Sequence, residues 1–247
     1  MPKVWTDDIL VVPCIGIMKL LRFHISMSKI TFDDIRHNEE INTYIRQADA
    51  SLVALGFTEH SFAHVVRCAT AAAEILSRLD YDSHIIELTK IAAYMHDIGN
   101  VINRIDHAQS GAVMAFRILD KLGMEAADIS AVITAIGNHD EGTAYPVNAI
   151  AAALILADKS DVRRTRVRNS NTVAFDIHDR VNYAVTHSNL DIDADSKTIA
   201  LVLTIDTDIC AVIDYFEIFM NRMLLCRKAA DFLGLKFQLI INGQEIM

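Results

Sequence analysis

Apolar residues recur every three or four positions through the first two thirds of the chain, which is the spacing of one helix face. The clearest example runs from His60 to Leu79, where most apolar side chains would share one side of a helix. Six such segments follow one another, and we predict helices over residues 32–55, 60–79, 83–97, 107–122, 126–139 and 147–161. Glycine follows or ends three of them, at Gly56, Gly99 and Gly123, where helices commonly stop. Successive helices joined by short loops predict an all-α bundle.

The pattern changes after Arg168. We predict a short helix over about residues 179–186, followed by a hairpin whose strands are residues 189–193 and 198–205. A long helix over about residues 208–233 and an alternating strand over residues 235–242 come next. The predicted fold class is therefore mostly α, a helical bundle with a small C-terminal α+β extension.

A sheet of about three strands covered by one helix is only marginally stable alone. We therefore expect the C-terminal extension either to pack on the bundle or to pair with a second subunit, which would make a homodimer.

An apolar segment near the start of the chain, residues 9–21, does not have the features of a membrane anchor. It has about thirteen residues, which is too short to cross a bilayer, and it contains Pro13. Acidic Asp7 and Asp8 precede it, where a signal peptide carries basic residues. We expect no membrane partner.

Composition narrows the class of protein further. The 23 basic and 32 acidic residues leave a net charge of −9, which disfavours binding to nucleic-acid polymers or anionic membranes. The four cysteines are far apart and form no CxxC pair, so we expect reduced thiols in a cytoplasmic protein. A local basic pocket for a small phosphate remains compatible with this charge.

The dipeptide His96-Asp97 stands at the end of an otherwise apolar predicted helix. Burying an imidazole beside a carboxylate costs free energy unless something pairs them, and a divalent metal would do so. Neighbouring predicted helices offer further imidazoles and carboxylates, and bundles build metal sites from facing helices in this way. The candidate metal ligands are His64, His96, Asp97, His107, His139 and Asp158. The alternative is a structural helical protein with incidental histidines, which would hold no stoichiometric metal.

The order His64, His96-Asp97, Asp158 resembles the H…HD…D signature of the HD-domain superfamily of metal-dependent phosphohydrolases. The strings HVVRCATAA, AAYMHDIGN and LILADKSD around these residues are similar to those of the family. The resemblance covers roughly residues 32–168. It implies an HD-domain helical bundle that hydrolyses a phosphate ester of a nucleotide or similar small molecule with metal-activated water, as a phosphomonoesterase or a phosphodiesterase.

The resemblance also implies a second metal ion. His107 and His139 lie between the HD pair and the final aspartate, where two-metal members of the family add histidines. In that case Asp97 would bridge two divalent ions, and iron, manganese, zinc, cobalt or nickel would suit the ligands. The segment around His139 distantly resembles the pattern of the HD-GYP branch of the family. Asn138 and Ala144 depart from that pattern, so the resemblance does not imply cyclic-dinucleotide specificity.

The pattern and the resemblance together predict three parts of the chain. These are an N-terminal extension over residues 1–30, an HD-type helical metal-binding domain over 31–168, and the C-terminal extension over 169–247 with its hairpin, long helix and final strand.

The run of basic residues after Asp158 predicts a clamp for phosphate oxygens, which arginine can bind in a bidentate manner. A solvated helix end with favourable charges is the alternative interpretation of this run. We assign catalytic roles to Asp97 and Lys159. The predicted substrate contacts are His60, Arg67, Arg163 and Arg164.

The expected partner is a small phosphorylated compound such as a nucleotide. A second hypothesis is a non-catalytic HD module that binds metal and nucleotide and acts in signalling.

Overall fold

The computed structural model of the protein describes residues 29–168 and 177–247. Nearly all of the predicted N-terminal extension lies outside these residues. The described helices are α1 (Phe32–Arg36), α2 (Glu39–Ala54), α3 (Phe62–Arg78), α4 (Ser83–Met95), α5 (His107–Leu122), α6 (Ala126–Gly137), α7 (Ala149–Lys159), α8 (Ile177–Ala184) and α9 (Val212–Phe232). The described strands are β1 (Val185–Asp193), β2 (Thr198–Ile205), β3 (Lys236–Ile241) and β4 (Gln244–Glu245). The predicted fold class, mostly α with a small α+β part, is confirmed.

One predicted helix, residues 32–55, is two helices in the structure. Thr31 and Asp34 form a capping box at the start of α1, and the side chain of Asn38 accepts a hydrogen bond from the backbone N–H of Ile41 at the start of α2. Asn38 thus begins a new helix because its side chain satisfies a backbone N–H group that a continuous helix would bond internally.

Helix α7 is the central element of the bundle. Every residue from Ile150 to Lys159 is buried, as expected for a helix that is apolar on all sides. Helices α3, α4, α6 and α9 pack around it. The last two residues of this buried helix are charged, Asp158 and Lys159, so the packing of the bundle places a carboxylate and an ammonium group inside the protein.

The C-terminal sheet has the strand order β1-β2-β3-β4. Strands β1 and β2 form the predicted antiparallel hairpin, and β3 pairs parallel to β2 after the crossover through α9. Helix α9 packs on both β3 and α7, so the sheet is joined to the bundle through this helix.

Two features of this sheet differ from the sequence prediction. Strand β1 begins at Val185, within the predicted short helix, and Val185 pairs with Ile205 of β2. Strand β4 was not predicted because it has only two residues, although Asn242-Gly243, both with positive φ, is a known hairpin-turn signal. The division of the chain into three domains stays a prediction.

Among the residues that the structure describes, none of the helices combines the length and the apolar character needed to cross a membrane.

The segment after the HD pair contacts the start of α5 very closely at Gly99. A Cβ atom on Gly99 would lie 2.0 Å from the carbonyl oxygen of His107 and 2.5 Å from the backbone nitrogen of Gly111. Both neighbours are backbone atoms that cannot rotate away. Glycine at this position therefore sets the distance between the HD pair and the first turn of α5.

We predict that Gly99→Ala destabilises the protein by at least the ~1–3 kcal/mol typical of overpacking. The matched control is Gly137→Ala, because a Cβ atom there would only reach Ala112 at 3.6 Å. Urea unfolding of both variants and the wild type measures the difference. Equal stability of the two variants would contradict this account of Gly99.

Candidate metal centre

The structure brings the six predicted ligands together in the interior of the bundle. They come from the faces or ends of α3, α4, α5 and α7 and from the residues just after α4 and α6. All six are buried, and the most exposed of them, Asp158, is only 9% exposed.

The first group of ligand atoms surrounds one oxygen of Asp97. Nε2 of His96 lies 3.2 Å from Oδ2 of Asp97, and Nε2 of His64 lies 3.7 Å from the same oxygen. Oδ1 of Asp158 is 3.2 Å from Nε2 of His64 and 3.8 Å from Nε2 of His96. Two imidazole nitrogens and two carboxylate oxygens thus converge on one point.

The second group faces the other oxygen of Asp97. Nε2 of His107 lies 3.5 Å from Oδ1 of Asp97, and Nε2 of His139 lies 3.9 Å from it. The two imidazole nitrogens are 3.2 Å apart. Asp97 therefore stands between the two groups and turns one oxygen towards each.

The four histidines share one arrangement of hydrogen bonds. In each ring Nδ1 contacts an acceptor outside the centre: Asp161 Oδ2 at 2.8 Å from His64, Ala93 O at 2.8 Å from His96, Arg104 O at 3.0 Å from His107 and Ile136 O at 2.6 Å from His139. A carbonyl or carboxylate oxygen can only accept, so Nδ1 donates and Nε2 of each neutral ring presents a lone pair to the centre. Metal-ligating histidines are usually oriented by such partners.

The buried atoms of the centre fit a metal ion. Nε2 of His96 and Oδ2 of Asp97 have no hydrogen-bond partner, although buried polar atoms nearly always have one. The lone pairs of His107 and His139 face each other at 3.2 Å, which is unfavourable without a cation or a proton. Imidazole and carboxylate ligands suit divalent iron, manganese, zinc, cobalt or nickel.

Electrostatics keeps the ligand atoms available. Burial lowers the pKa of His107 and, more strongly, of His139, so these rings stay neutral. Burial opposes ionisation of Asp97 as well, but His96, when protonated, outweighs it and holds the pKa of Asp97 well below its usual range. Burial also opposes the charge of His96, but Asp97 raises its pKa, so a metal ion at Nε2 would replace a proton there. Cys68 lies beside His64 in the same cluster, but burial raises the pKa of its thiol well above the ordinary value. Cys68 therefore packs as a neutral thiol.

A cavity of about 370 Å³ opens onto the centre. Its floor includes both carboxylates, Asp97 and Asp158, with His107 and His139. His60 also lines it, as the sequence predicts for a substrate contact. The charged lining also includes a third carboxylate, Asp179, and four basic side chains: Arg104, Lys159, Arg166 and Arg222. The cavity can thus accept a ligand with several negative charges.

Three predicted substrate contacts do not line this cavity. Arg67 and Arg163 instead form ion pairs with the buried carboxylate of Asp161. Arg164 pairs with Asp206 at 3.6 Å. We therefore no longer assign these three arginines to the substrate. For Arg163 and Arg164 the physical reason is that α7 ends at Lys159 and the chain then turns away from the cavity. Arg67 lies on α3 and pairs with Asp161, which follows that turn.

Sequence reasoning missed several residues of the site. Asp161 orients His64, and the spacing of three residues from Asp158 was the available signal. Arg222 and Phe219 line the cavity from α9, and nothing in the local sequence connects them with the HD pair. His178 also lines it.

A chain of ion pairs links the first group of ligands to α9. Oδ2 of Asp158 is 2.6 Å from Nζ of Lys159, and Nζ is 2.7 Å from Oε2 of Glu141. The other oxygen of Glu141 accepts a hydrogen bond from Nε of Arg222. The C-terminal extension therefore contacts the centre through charge pairs as well as through apolar packing.

Comparison with known proteins agrees with this geometry. The family model of the HD domain matches residues 61–163, which include all six predicted metal ligands. Residues 61–163 therefore form an HD domain. This domain comprises α3 to α7 with the turn that follows, and α8, α9 and the sheet lie beyond the match.

Two individual proteins are similar to this HD-domain chain. Uncharacterized protein MJ1020 of Methanocaldococcus jannaschii is 24% identical over 163 residues, which cover 57% of this chain and 62% of that protein. The chain thus spans about three fifths of the length of this relative. The crystal structure of a "predicted HD superfamily hydrolase" from an uncultured Thermotogales bacterium is 29% identical, with a TM-score of 0.42, and the match covers 51% of this chain and 69% of that one.

We predict that Asp161→Asn weakens divalent-metal binding by ~10–100-fold, the usual cost of losing the partner that orients a ligating histidine. The matched control is Asp128→Asn, because Asp128 also bonds a histidine, His84, at 2.8 Å but does not line the cavity. Titration of manganese against a competing chelator measures both affinities. Equal metal affinity in the two variants would show that Asp161 does not position His64.

Proposed function

We propose that the chain is a metal-dependent phosphohydrolase that acts on a phosphate ester of a nucleotide or a similar small molecule. The observation that carries this proposal is the position of Asp97, whose two oxygens face two pairs of imidazole lone pairs at the floor of a basic cavity. Water adds to phosphorus and the ester P–O bond breaks, which yields an alcohol and either free phosphate from a monoester or a monoester from a diester.

Two metal ions would be held by protein groups that share Asp97. The first set is His64, His96, Asp97 and Asp158, and the second is Asp97, His107 and His139. Metal ions in such sites lower the pKa of a bound water and polarise a phosphoryl oxygen. The chain then needs no nucleophilic side chain of its own.

Lys159 has a positioning role in this proposal. Although burial opposes its charge, Asp158 and Glu141 hold the pKa of Lys159 above its usual range, so Lys159 stays protonated and cannot act as a base. Its ammonium group binds Oδ2 of Asp158, and Oδ1 of the same carboxylate remains turned towards His64. Lys159 thus orients a ligand, which refines the catalytic role that the sequence suggested.

The apolar residues of the cavity lining support an ester with an apolar or aromatic leaving group. Leu55 and Phe57, from the loop between α2 and α3, line the cavity, and Phe57 is 42% exposed. Phe219 and Arg222, from α9, also line it. A nucleoside has the combination of a flat apolar base and polar sugar that suits such walls.

We predict two equivalents of manganese per chain in metal-loaded wild-type protein. Asp97→Asn should lower both the metal content and the hydrolysis of a panel of nucleotides and p-nitrophenyl phosphate, by more than the ~10–100-fold that loss of an outer partner costs. The control is Asp231→Asn, because Asp231 is an exposed residue of α9. Elemental analysis and release of phosphate are the measurements. Wild-type protein that binds stoichiometric metal but hydrolyses no phosphate ester would favour the non-catalytic hypothesis.

We further predict that Arg222→Met raises KM by ~10–100-fold, because a charge-assisted hydrogen bond to substrate contributes about 1.5–3 kcal/mol. The matched control is Arg227→Met, since Arg227 lies on the same helix and is exposed. Steady-state kinetics of both variants, together with thermal unfolding, separates substrate binding from stability. An unchanged KM in the folded Arg222 variant would remove α9 from the substrate site.

A further inference from the structure

Arg104 is a cavity residue that neither the run of basic residues nor the HD signature points to. It lies in the loop before α5, three residues ahead of His107, and its side chain is half-buried. Nη1 of Arg104 is 3.4 Å from Nε2 of His107 and 3.3 Å from Oδ1 of Asn100. Its guanidinium carbon lies 5.7 Å from the centre of the Phe57 ring. The guanidinium group is therefore next to the second group of ligand atoms.

The basic residues of the cavity differ in how their charges are compensated. Lys159 contacts two carboxylates, Arg222 pairs with Glu141, and Arg166 has an oxygen of Asp161 at 3.9 Å. Within residues 29–168 and 177–247, Arg104 alone among the cavity's lysine and arginine residues has no carboxylate oxygen within 4.0 Å. Its polar contacts are the amide oxygen of Asn100 and Nε2 of His107, and neither of them carries a negative charge.

This contact is unfavourable when the centre holds metal. Nε2 of His107 would then bind a cation, and the guanidinium group of Arg104 would lie beside it. Oδ1 of Asp97 and Oδ1 of Asp140 are 3.5 and 3.9 Å from this nitrogen, but neither carboxylate forms an ion pair with Arg104. A phosphoryl group supplies the missing negative charge, because its oxygens can bind metal on one side and a planar guanidinium on the other. Asp97 cannot supply this negative charge to Arg104, since its oxygens face the imidazoles and Asn100.

We propose that Arg104 is the residue that binds the phosphoryl group of the substrate, between its guanidinium group and the His107–His139 side of the centre. The proposal rests on the proposed function and adds a substrate-binding residue to it. The ligand that Arg104 would bind is an anionic phosphate with at least one oxygen that can accept a hydrogen bond from the guanidinium group. A phosphomonoester and free phosphate both have such an oxygen.

The backbone and the side chain of Arg104 have separate roles. The carbonyl oxygen accepts a hydrogen bond from Nδ1 of His107 at 3.0 Å and so orients this ligand. A substitution of the side chain leaves that carbonyl in place. A variant can therefore lose the anion contact and keep the metal ligand, which makes the proposal testable.

The experiment compares the full-length wild type, Arg104→Met, Arg104→Lys and the control Arg117→Met, all loaded with manganese. Arg117 lies on α5, and its side chain is 74% exposed. Isothermal titration with inorganic phosphate gives Kd, elemental analysis gives the metal content, and hydrolysis of p-nitrophenyl phosphate gives kcat/KM.

We expect equal metal content in all four proteins. We expect the Kd for phosphate to rise at least ~10-fold in Arg104→Met, the effect of losing a hydrogen bond to a charged group. Arg104→Lys should recover part of the affinity, and Arg117→Met should match the wild type.

Three outcomes would overturn the proposal. Unchanged Kd and kcat/KM in Arg104→Met would show that Arg104 does not bind the phosphoryl group, while the proposed function stands. Loss of metal from this variant would show that the side chain acts on His107 instead. If the wild type neither binds phosphate nor hydrolyses the ester, the proposed function itself fails, and Arg104 has no phosphoryl group to bind.

Discussion

The buried carboxylate of Asp97 is the constraint around which the bundle is organised. A carboxylate in the protein interior is tolerated only when other groups compensate its charge. Asn100 donates a hydrogen bond to Oδ1 at 2.9 Å, and Oδ2 has no hydrogen-bond partner. The remaining neighbours are four imidazole rings that present lone pairs. A carboxylate and four lone pairs together form an environment that a divalent cation stabilises, because the cation compensates the charge and binds the lone pairs at once.

The same need for charge compensation joins the C-terminal extension to the HD domain. Asp158, Lys159, Glu141 and Arg222 alternate in charge from the metal centre to α9. Removing one member of such a buried series leaves its neighbour as an unpaired buried charge. The free-energy cost of that unpaired charge exceeds the stabilisation that the ion pair provides. Helix α9 thus contributes a charge and a cavity wall at once. The site depends on both parts of the chain, although the match to the HD family ends at residue 163.

Features that depend on neighbouring residues were mostly predicted from the sequence, whereas features that depend on contacts between distant segments were mostly not. The helices follow from apolar spacing, and α5 has the predicted bounds, because spacing and the glycine at position 123 are local signals. The break between α1 and α2 was missed, since it depends on the hydrogen bond of the Asn38 side chain. The order of histidines and aspartates along successive helices predicted six ligand residues, and the structure brings these six side chains together. The arginines after Asp158 were misplaced, because the turn that follows α7 directs them to Asp161 and Asp206.

The sequence by itself determined the mostly helical fold and the chemical types of the ligands at the helix ends, because periodicity and side-chain chemistry are properties of short segments. Only the tertiary structure decided which cations face the cavity. Arg104, Arg166 and Arg222 come from three separate parts of the chain, and each reaches the site through the way its segment packs. Carboxylates elsewhere in the fold, such as Asp161 and Asp206, bind the arginines that the sequence alone had favoured. A charge takes the nearest compensating partner in space, and sequence order does not reveal that partner.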